Sequence, residues 1–356
     1  MKNNIKDSKI DISSLSLSEL REFVIELSLK LGIKIEKFRA EQIYKWLISG
    51  VREFDEMKNV PLNIRTALKE NCYIALPAAE KKFVSKLDGT IKYLFRLYDG
   101  ECIESVFMRY EHGNTVCIST QAGCRMGCRF CASTISGFSR NLTPSEILGQ
   151  IVAVSRDTGE KISNVVLMGI GEPLDNFENV LKFLELVNAP EGMNIGYRHI
   201  SLSTCGIVPN ILKLSEKQLP ITLSISLHST TQEERERLMP IAKKYSLDEL
   251  ISACRKYIDN GGRRISFEYA MIENENDSKE DAQRLASLLS GMLCHVNLIP
   301  LNTVSGRDYR KSGRDAIKRF MNVLESKGII VTVRRRLGSD IYASCGQLRA
   351  SKISEN

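Results

Sequence analysis

The sequence predicts an α/β fold, a partial (βα)6 barrel of about six strand–helix units preceded by a small N-terminal helical domain and a β extension. Three observations carry that prediction. Candidate strands recur from about Asn114 onward, at 115–120, 165–168, 200–203, 221–227, 265–271, 296–299 and 329–333, with helical segments between them. Polar motifs follow the strands at one place in each unit: Gly169-Ile170-Gly171-Glu172-Pro173, Ser203-Thr204-Cys205-Gly206, Ser226-Leu227-His228 and Pro300-Leu301-Asn302. Parallel strands would bring these ends to one rim, where βα barrels build their sites. Finally, about six units fall short of the eight that close a barrel.

Ahead of the barrel, residues 20–31 and 39–48 carry apolar residues at helical spacing, and 62–68 form a third short helix. Short apolar runs follow at 83–87, 91–97 and 103–108, punctuated by the hairpin signals Asp88-Gly89 and Asp99-Gly100. The chain therefore divides into a helical accessory domain over 1–75, a β extension or linker over 76–112, the barrel over 113–340 and a C-terminal segment over 341–356. Thr143-Pro144-Ser145-Glu146, Ser246-Leu247-Asp248-Glu249 and Asp277-Ser278-Lys279-Glu280 each read as a capping box at a helix start.

Composition bounds the function. With 356 residues, 43% hydrophobic and 26% charged, the chain has the proportions of a folded protein of about two domains. No stretch approaches the ~20 apolar residues of a membrane span. The N-terminus MKNNIKDSKIDISS lacks the apolar core of a secretory signal, so a cytoplasmic, reducing location is expected. Ten cysteines then read as ligands, reactive thiols or small core residues before structural disulfides. A net charge of +7 permits a polyanionic partner such as RNA without requiring one.

Cys124-Arg125-Met126-Gly127-Cys128-Arg129-Phe130-Cys131 sets three thiols on one short loop directly after the first barrel strand. Structural zinc ordinarily takes four ligands from paired clusters, and the sequence has no second paired cluster; zinc with a distant fourth ligand is the lesser alternative. An iron–sulfur cubane takes Cys thiolates, and one held by only three leaves an iron open for chemistry. The 169–173 segment is not a dinucleotide loop, because the third glycine of that pattern would fall on Leu174, after Pro173.

The CxxxCxxC spacing, Phe130 before the third cysteine and the Gly171-Glu172 pair resemble the radical S-adenosylmethionine (SAM) superfamily. That resemblance implies a radical SAM barrel with a 4Fe-4S cluster on Cys124, Cys128 and Cys131 and SAM on the fourth iron. Thr120-Gln121-Ala122-Gly123-Cys124, Cys131-Ala132-Ser133-Thr134, His295-Val296-Asn297-Leu298-Ile299-Pro300, Ser344-Cys345-Gly346-Gln347-Leu348 and the N-terminal Phe38-Arg39-Ala40-Glu41-Gln42 narrow the match. Together they resemble the RlmN family, adenosine C2 methyltransferases of ribosomal RNA.

The family resemblance implies SAM contacts at Gly171, Glu172, Ser203, Ser226, Leu227, His228 and Asn302, and two SAM molecules per turnover. It implies Cys345 as methyl carrier, Glu104 as general base, and Cys117 as the resolving thiol of a transient Cys117–Cys345 disulfide. Glu172 suits the ammonium of the methionine moiety, and Gly171 allows close backbone approach. The implied partners are 23S rRNA and tRNA, bound with the help of the 1–75 domain, and an electron donor of flavodoxin or ferredoxin type, with no membrane and a monomeric state. Taken alone, Cys117 reads as a buried strand cysteine, Glu104 as a solvated edge-strand carboxylate and His228 equally as a structural histidine. Cys72, Cys102, Cys205, Cys254 and Cys294 read as small buried side chains.

Arg334-Arg335-Arg336 and the cluster Arg307, Arg310, Lys311 and Arg314 could meet phosphates, although a solvated helix start explains the second group equally well. Two competing functions remain. A Cfr-type C8 methyltransferase is disfavoured by Gln121-Ala122-Gly123 and Gly171-Glu172-Pro173-Leu174; a non-catalytic RNA-binding protein with a structural metal belongs to another class. The sequence departs from the family at Ile341-Tyr342-Ala343-Ser344, where an aspartate and two alanines commonly precede the carrier, and at Arg336, where an acid is frequent.

Overall fold

The computed structural model describes residues 9–302, 304 and 306–348; the outermost parts of the predicted N-terminal domain and C-terminal segment, 1–8 and 349–356, lie outside the described residues. Three helices, α1 (Leu17–Leu31), α2 (Arg39–Ile48) and α3 (Leu62–Asn71), enclose a core of their own that includes Leu20, Val24, Ile43, Ile64 and Leu68. The first starts earlier than its apolar pattern because Ser16 and Glu19 form a capping box. This bundle meets the rest of the chain through Asp11, whose carboxylate accepts from Ser14 Oγ at 2.7 Å, Thr143 Oγ1 at 3.2 Å and Ser145 Oγ.

One ten-stranded sheet organises the remainder. Its strands are β1 (Ala78–Val84), β2 (Ile91–Arg96), β3 (Cys102–Met108), β4 (Thr115–Cys117), β5 (Asn164–Leu167), β6 (Ile200–Thr204), β7 (Thr222–Ser226), β8 (Ile265–Met271), β9 (Cys294–Pro300) and β10 (Val331–Val333). They lie side by side in sequence order. Neighbours from β4 to β10 are parallel, whereas β1 to β4 are antiparallel. The sheet keeps two edges, so the barrel is partial, as the short run of units predicted. Helices α4 (Pro144–Thr158), α5 (Phe177–Asn188), α6 (Val208–Glu216), α7 (Gln232–Leu238), α8 (Leu247–Asp259), α9 (Lys279–Leu288) and α10 (Arg314–Ser326) fill the crossovers.

Three local readings need correction. The predicted capping boxes at Thr143 and Ser246 form as written, but the third is Ser278 with Asp281. Asp277 instead accepts the Asn274 N–H, which closes the preceding turn. The run at 83–87 is mostly turn: β1 ends at Val84 and Leu87 is exposed at the hairpin tip, because Ser85 and Thr90 close the loop through Ser85 N–H to Thr90 O at 2.8 Å. Lastly, the β extension is not a linker. Val106 of β3 registers with Cys117 of β4, so the extension continues the barrel sheet.

That continuity positions the C-terminal segment. The β1–β2 turn holds it: Asp340 accepts from Ser85 Oγ at 2.6 Å and Lys86 N–H at 2.9 Å, while Asp88 accepts the Gly338 N–H at 2.9 Å. Ala343 and Leu348 then pack on Val106, Met108 and Cys117. The segment returns across the face of β3 and β4 to the rim of the barrel.

Candidate active site

The three-cysteine loop is braced on several sides. A short antiparallel pair, Gln121–Gly123 with Phe138–Asn141, closes its base. Gly123 has φ 75°, and a Cβ there would sit 1.9 Å from the Gly137 carbonyl oxygen, so only glycine fits. Cys124 donates its N–H to Gly137 O at 2.9 Å, Arg129 to Leu238 O at 2.9 Å, and Ala132 to Gly346 O at 2.8 Å. The last bond ties the loop directly to the C-terminal segment.

Cys124, Cys128 and Cys131 open into a cavity of about 170 Å³ at the carboxyl ends of the strands. Gly171, Glu172, Ser203, Ser226, His228, Asn302 and Cys345 also line it, so one cavity collects most of the residues read from sequence. Among the expected SAM contacts, Leu227 is the exception. Its side chain is fully buried in the barrel core, and its N–H donates to Glu268 O at 3.1 Å.

Glu172 is buried, and its carboxylate already accepts the N–H groups of Cys205 at 2.7 Å and Leu174 at 2.9 Å. It thus fixes the loops after β5 and β6 to each other as well as facing the cavity. Burial raises its pKa, an effect the backbone donors oppose. Ser203 and Ser226, on adjacent strands, approach to 3.5 Å between hydroxyls. Asn302 donates Nδ2–H to Cys345 O at 3.0 Å, while its buried Oδ1 has no hydrogen-bond partner among the described residues.

His228 has a left-handed backbone, φ 56°, and its ring meets Phe130 edge-on at 4.8 Å. Nδ1 accepts the Ala270 N–H at 2.9 Å, which assigns the proton of the neutral ring to Nε2. Burial pushes its pKa down to about 3, with the Arg235 charge adding to the effect. Between that value and the ordinary ~6.5 the unfolded chain binds a proton that the folded protein refuses, so stability falls as pH drops through this window. From pH 6.5 to 5 this residue is expected to account for a loss of about 2 kcal/mol. Urea midpoints at the two pH values check this, and His228→Gln should flatten the difference.

Glu104 and Cys117 do not line the cavity. Cys117 is buried on β4, against Val106, Ala343 and Leu348. Glu104 is not on a solvated edge: β3 is flanked by β2 and β4, and the carboxylate is buried with Lys92 Nζ at 3.5 Å. Cys345 belongs to two spaces at once. It lines the main cavity and a smaller adjoining pocket with Tyr110, Arg334, Arg335 and Arg336.

Sequence reasoning passed over Glu268 and misplaced Arg334. Glu268 sits inside β8, whose residues are all buried, and accepts from Ser266 Oγ at 2.8 Å and Asn297 Nδ2 at 2.9 Å. Arg334 pairs with it at 3.5 Å and forms part of the cavity wall, while Arg335 and Arg336 are exposed. Negative charge on Cys345, ahead of that on Glu268, pushes the Arg334 pKa further up. An acid within a largely apolar strand was the available signal. The buried Arg235, which donates to Cys205 O at 2.7 Å and Leu227 O at 3.3 Å, gave none.

The comparisons with known proteins agree with this geometry. Residues 118–286 match the family model of the Radical SAM superfamily, which sets the class of the barrel and its cysteine loop. Residues 10–74 match the model of the ribosomal RNA large subunit methyltransferase N-terminal domain. A Clostridium botulinum protein named probable dual-specificity RNA methyltransferase RlmN is 58% identical over 89% of this chain and 91% of its own. A Clostridium tetani protein of the same name is 52% identical over 98% of both chains. The crystal structure of a radical SAM methyltransferase from Sphaerobacter thermophilus superposes with TM-score 0.90 at 39% identity, covering 96% of this chain and 100% of that one. The chain belongs to the RlmN family.

The superfamily implies a 4Fe-4S cluster and SAM, and the residues fit both. Three thiols on one loop face a common cavity, whose wall contains an amide oxygen on Asn302 that has no partner among the described residues. Among the described residues no three His, Cys, Asp or Glu side chains converge as one metal ion would require. Thiolates that bind separate corners of a cubane need not converge. Burial raises the pKa of all three thiols, so cationic iron would be needed to hold them as thiolates. Among the described residues no helix is long and apolar enough to cross a membrane.

Proposed function

We propose that this chain is a dual-specificity RNA methyltransferase acting at C2 of an adenosine in 23S rRNA and in tRNA, with Cys345 as an intermediate methyl carrier. The observation that carries the reading is the place of Cys345, in the wall shared by the three-cysteine cavity and the pocket edged by Arg335 and Arg336. A thiol there can be loaded from one side and present its methyl group to a base on the other. Adenine C2 lies between two ring nitrogens and is too electron-poor to displace a methyl group from SAM, whereas a thiolate is a strong nucleophile. When bound, the cluster and two successive SAM molecules supply a methyl group and, after one-electron reduction by a flavodoxin- or ferredoxin-type donor, a carbon radical that takes a hydrogen atom.

The chain's own residues do the rest. The Cys345 thiolate displaces S-adenosylhomocysteine and becomes a methyl thioether. Loss of a hydrogen atom from that methyl leaves a carbon radical on the Cys345 side chain, which adds to C2. The adduct passes its C2 proton to Glu104 and gives up one electron, for which the oxidised cluster would be the acceptor, returning the one the donor supplied. The Cys117 thiolate then attacks the Cys345 sulfur. The C–S electron pair leaves with the product carbon, which takes up a proton, and a Cys117–Cys345 disulfide awaits an external dithiol. Burial and the Cys345 charge push Cys117 up to about 12. Methylation of Cys345 removes that charge, so the resolving thiol ionises more easily once the carrier is loaded.

Exposed Arg335 and Arg336 suit phosphates beside an adenosine splayed from its stack. We assign RNA binding to 1–75, the sheet extension to 76–112, the barrel to 113–340 and the carrier to 341–356, in a monomeric enzyme. Nuclease digestion and mass spectrometry of treated 23S rRNA and tRNA test the assignment. The expected product in both is 2-methyladenosine, and 8-methyladenosine alone would overturn it.

A further inference from the structure

The buried face of the β extension carries a cation that the reaction outlined above does not use. Lys92 lies on β2, opposite Val106 of β3, while Glu104 of β3 is opposite Leu94. Lys92 and Glu104 are therefore diagonal neighbours on one face of the antiparallel pair. That face is covered by the C-terminal segment, since Val106 packs on Ala343 and Leu348. Lys92 is 8% exposed and Glu104 5%. The Lys92 ammonium stands 3.5 Å from the Glu104 carboxylate, donates to the Tyr342 carbonyl oxygen at 3.4 Å, and lies 5.3 Å from the centre of the Phe83 ring.

A lysine ammonium is seldom this deeply covered without a partner that needs its charge. Its two oxygen contacts join the carboxylate expected to take the C2 proton to the segment that carries Cys345, three residues beyond Tyr342. We propose that Lys92 is a positioning residue for adduct breakdown: it holds the Glu104 carboxylate ionised and aimed at the docked carrier segment, so that the base is ready only while Cys345 is in place.

The inference rests on the reading of Glu104 as the base. The proton leaves C2 for a Glu104 oxygen, while Lys92 keeps all its protons and exchanges no electron. A carboxylate removed from water and deprived of this cation would tend to take a proton and could no longer accept the one on C2. Steps that precede the adduct do not use Glu104, so they should proceed without Lys92. The failure is therefore specific: the RNA should remain bound to Cys345.

The test uses anaerobically reconstituted full-length enzyme with rRNA substrate, comparing wild type, Lys92→Met, Lys92→Arg, Glu104→Gln and the Lys92→Met, Glu104→Gln double variant. Four quantities are read: methyl on Cys345, 5′-deoxyadenosine formed, covalent RNA–protein adduct on denaturing gels, and released methylated RNA. Within a single turnover, Lys92→Met is expected to load Cys345 and form 5′-deoxyadenosine within about twofold of wild type, while released product falls at least roughly tenfold and adduct accumulates. Lys92→Arg should restore most of the release, and adding Lys92→Met to Glu104→Gln should change little, because both act at one step. Wild-type release without adduct in Lys92→Met would overturn the proposal. So would a parallel loss of all four quantities that Lys92→Arg fails to rescue, which would make the lysine merely structural. Wild-type enzyme that methylates RNA without ever methylating Cys345 would overturn the underlying reading instead.

Discussion

Replacing Cys128 with alanine is expected to abolish 5′-deoxyadenosine formation and RNA methylation while leaving a folded chain. The residue belongs to a loop held by backbone bonds from Arg129 to Leu238, Cys131 to Cys128 and Ala132 to Gly346, none of which uses its thiol. The fold therefore keeps its braces when the sulfur is removed. The cluster would not, because a cubane left with two protein thiolates loses an anchor as well as charge. Changes behind metal ligands already cost roughly 10–100-fold in affinity or activity, and loss of a ligand itself should exceed that. Iron content and 5′-deoxyadenosine yield under anaerobic conditions measure the effect, and circular dichroism establishes that the fold is retained. A variant with full iron content and normal cleavage would remove the cysteine loop from the chemistry.

Cys345→Ala should separate the two halves of the reaction. The three cysteines, Glu172 and His228 stay in place, so SAM binding and reductive cleavage are expected to continue, while methylated RNA falls below detection. Its structural cost should be small: the thiol is only partly buried, and the segment is held by main-chain and neighbouring side-chain contacts from Asn302, Asp340 and Asp88. Cys117→Ala should fail differently, loading Cys345 and reaching the RNA adduct but not resolving it. Denaturing gels distinguish these outcomes directly. If Cys345→Ala still methylates RNA, the carrier is another group.

The alternation of strands and helices was readable because each barrel strand is a short apolar run followed by a polar loop, and parallel pairing carries those loops to one rim. The cysteine loop was readable because its three thiols are close in sequence. Pairings between distant segments were not. Glu268 and Arg334 are 66 residues apart and meet only through the register of β8, β9 and β10. The Glu104 strand read as an edge because nothing local in 103–108 says which strand will lie on its other side; β4 does so, and the carboxylate is buried. Leu227 could have been set aside from sequence. Side chains alternate along a strand, so beside Ser226, which faces the cavity, Leu227 is the residue directed into the core. The departure at Tyr342 also has a local reason to be tolerated: its side chain is exposed and its main-chain carbonyl makes the contact with Lys92.

On the carrier route the methyl group reaches RNA through Cys345 and loses a hydrogen atom on the way. Turnover with SAM bearing a trideuterated methyl group, followed by mass spectrometry of the digested RNA, distinguishes this from direct transfer. The carrier route predicts 2-methyladenosine whose methyl group retains two deuterons and gains one proton from solvent, alongside one deuteron in 5′-deoxyadenosine. A methyl group delivered with all three deuterons, and no label in 5′-deoxyadenosine, would contradict it.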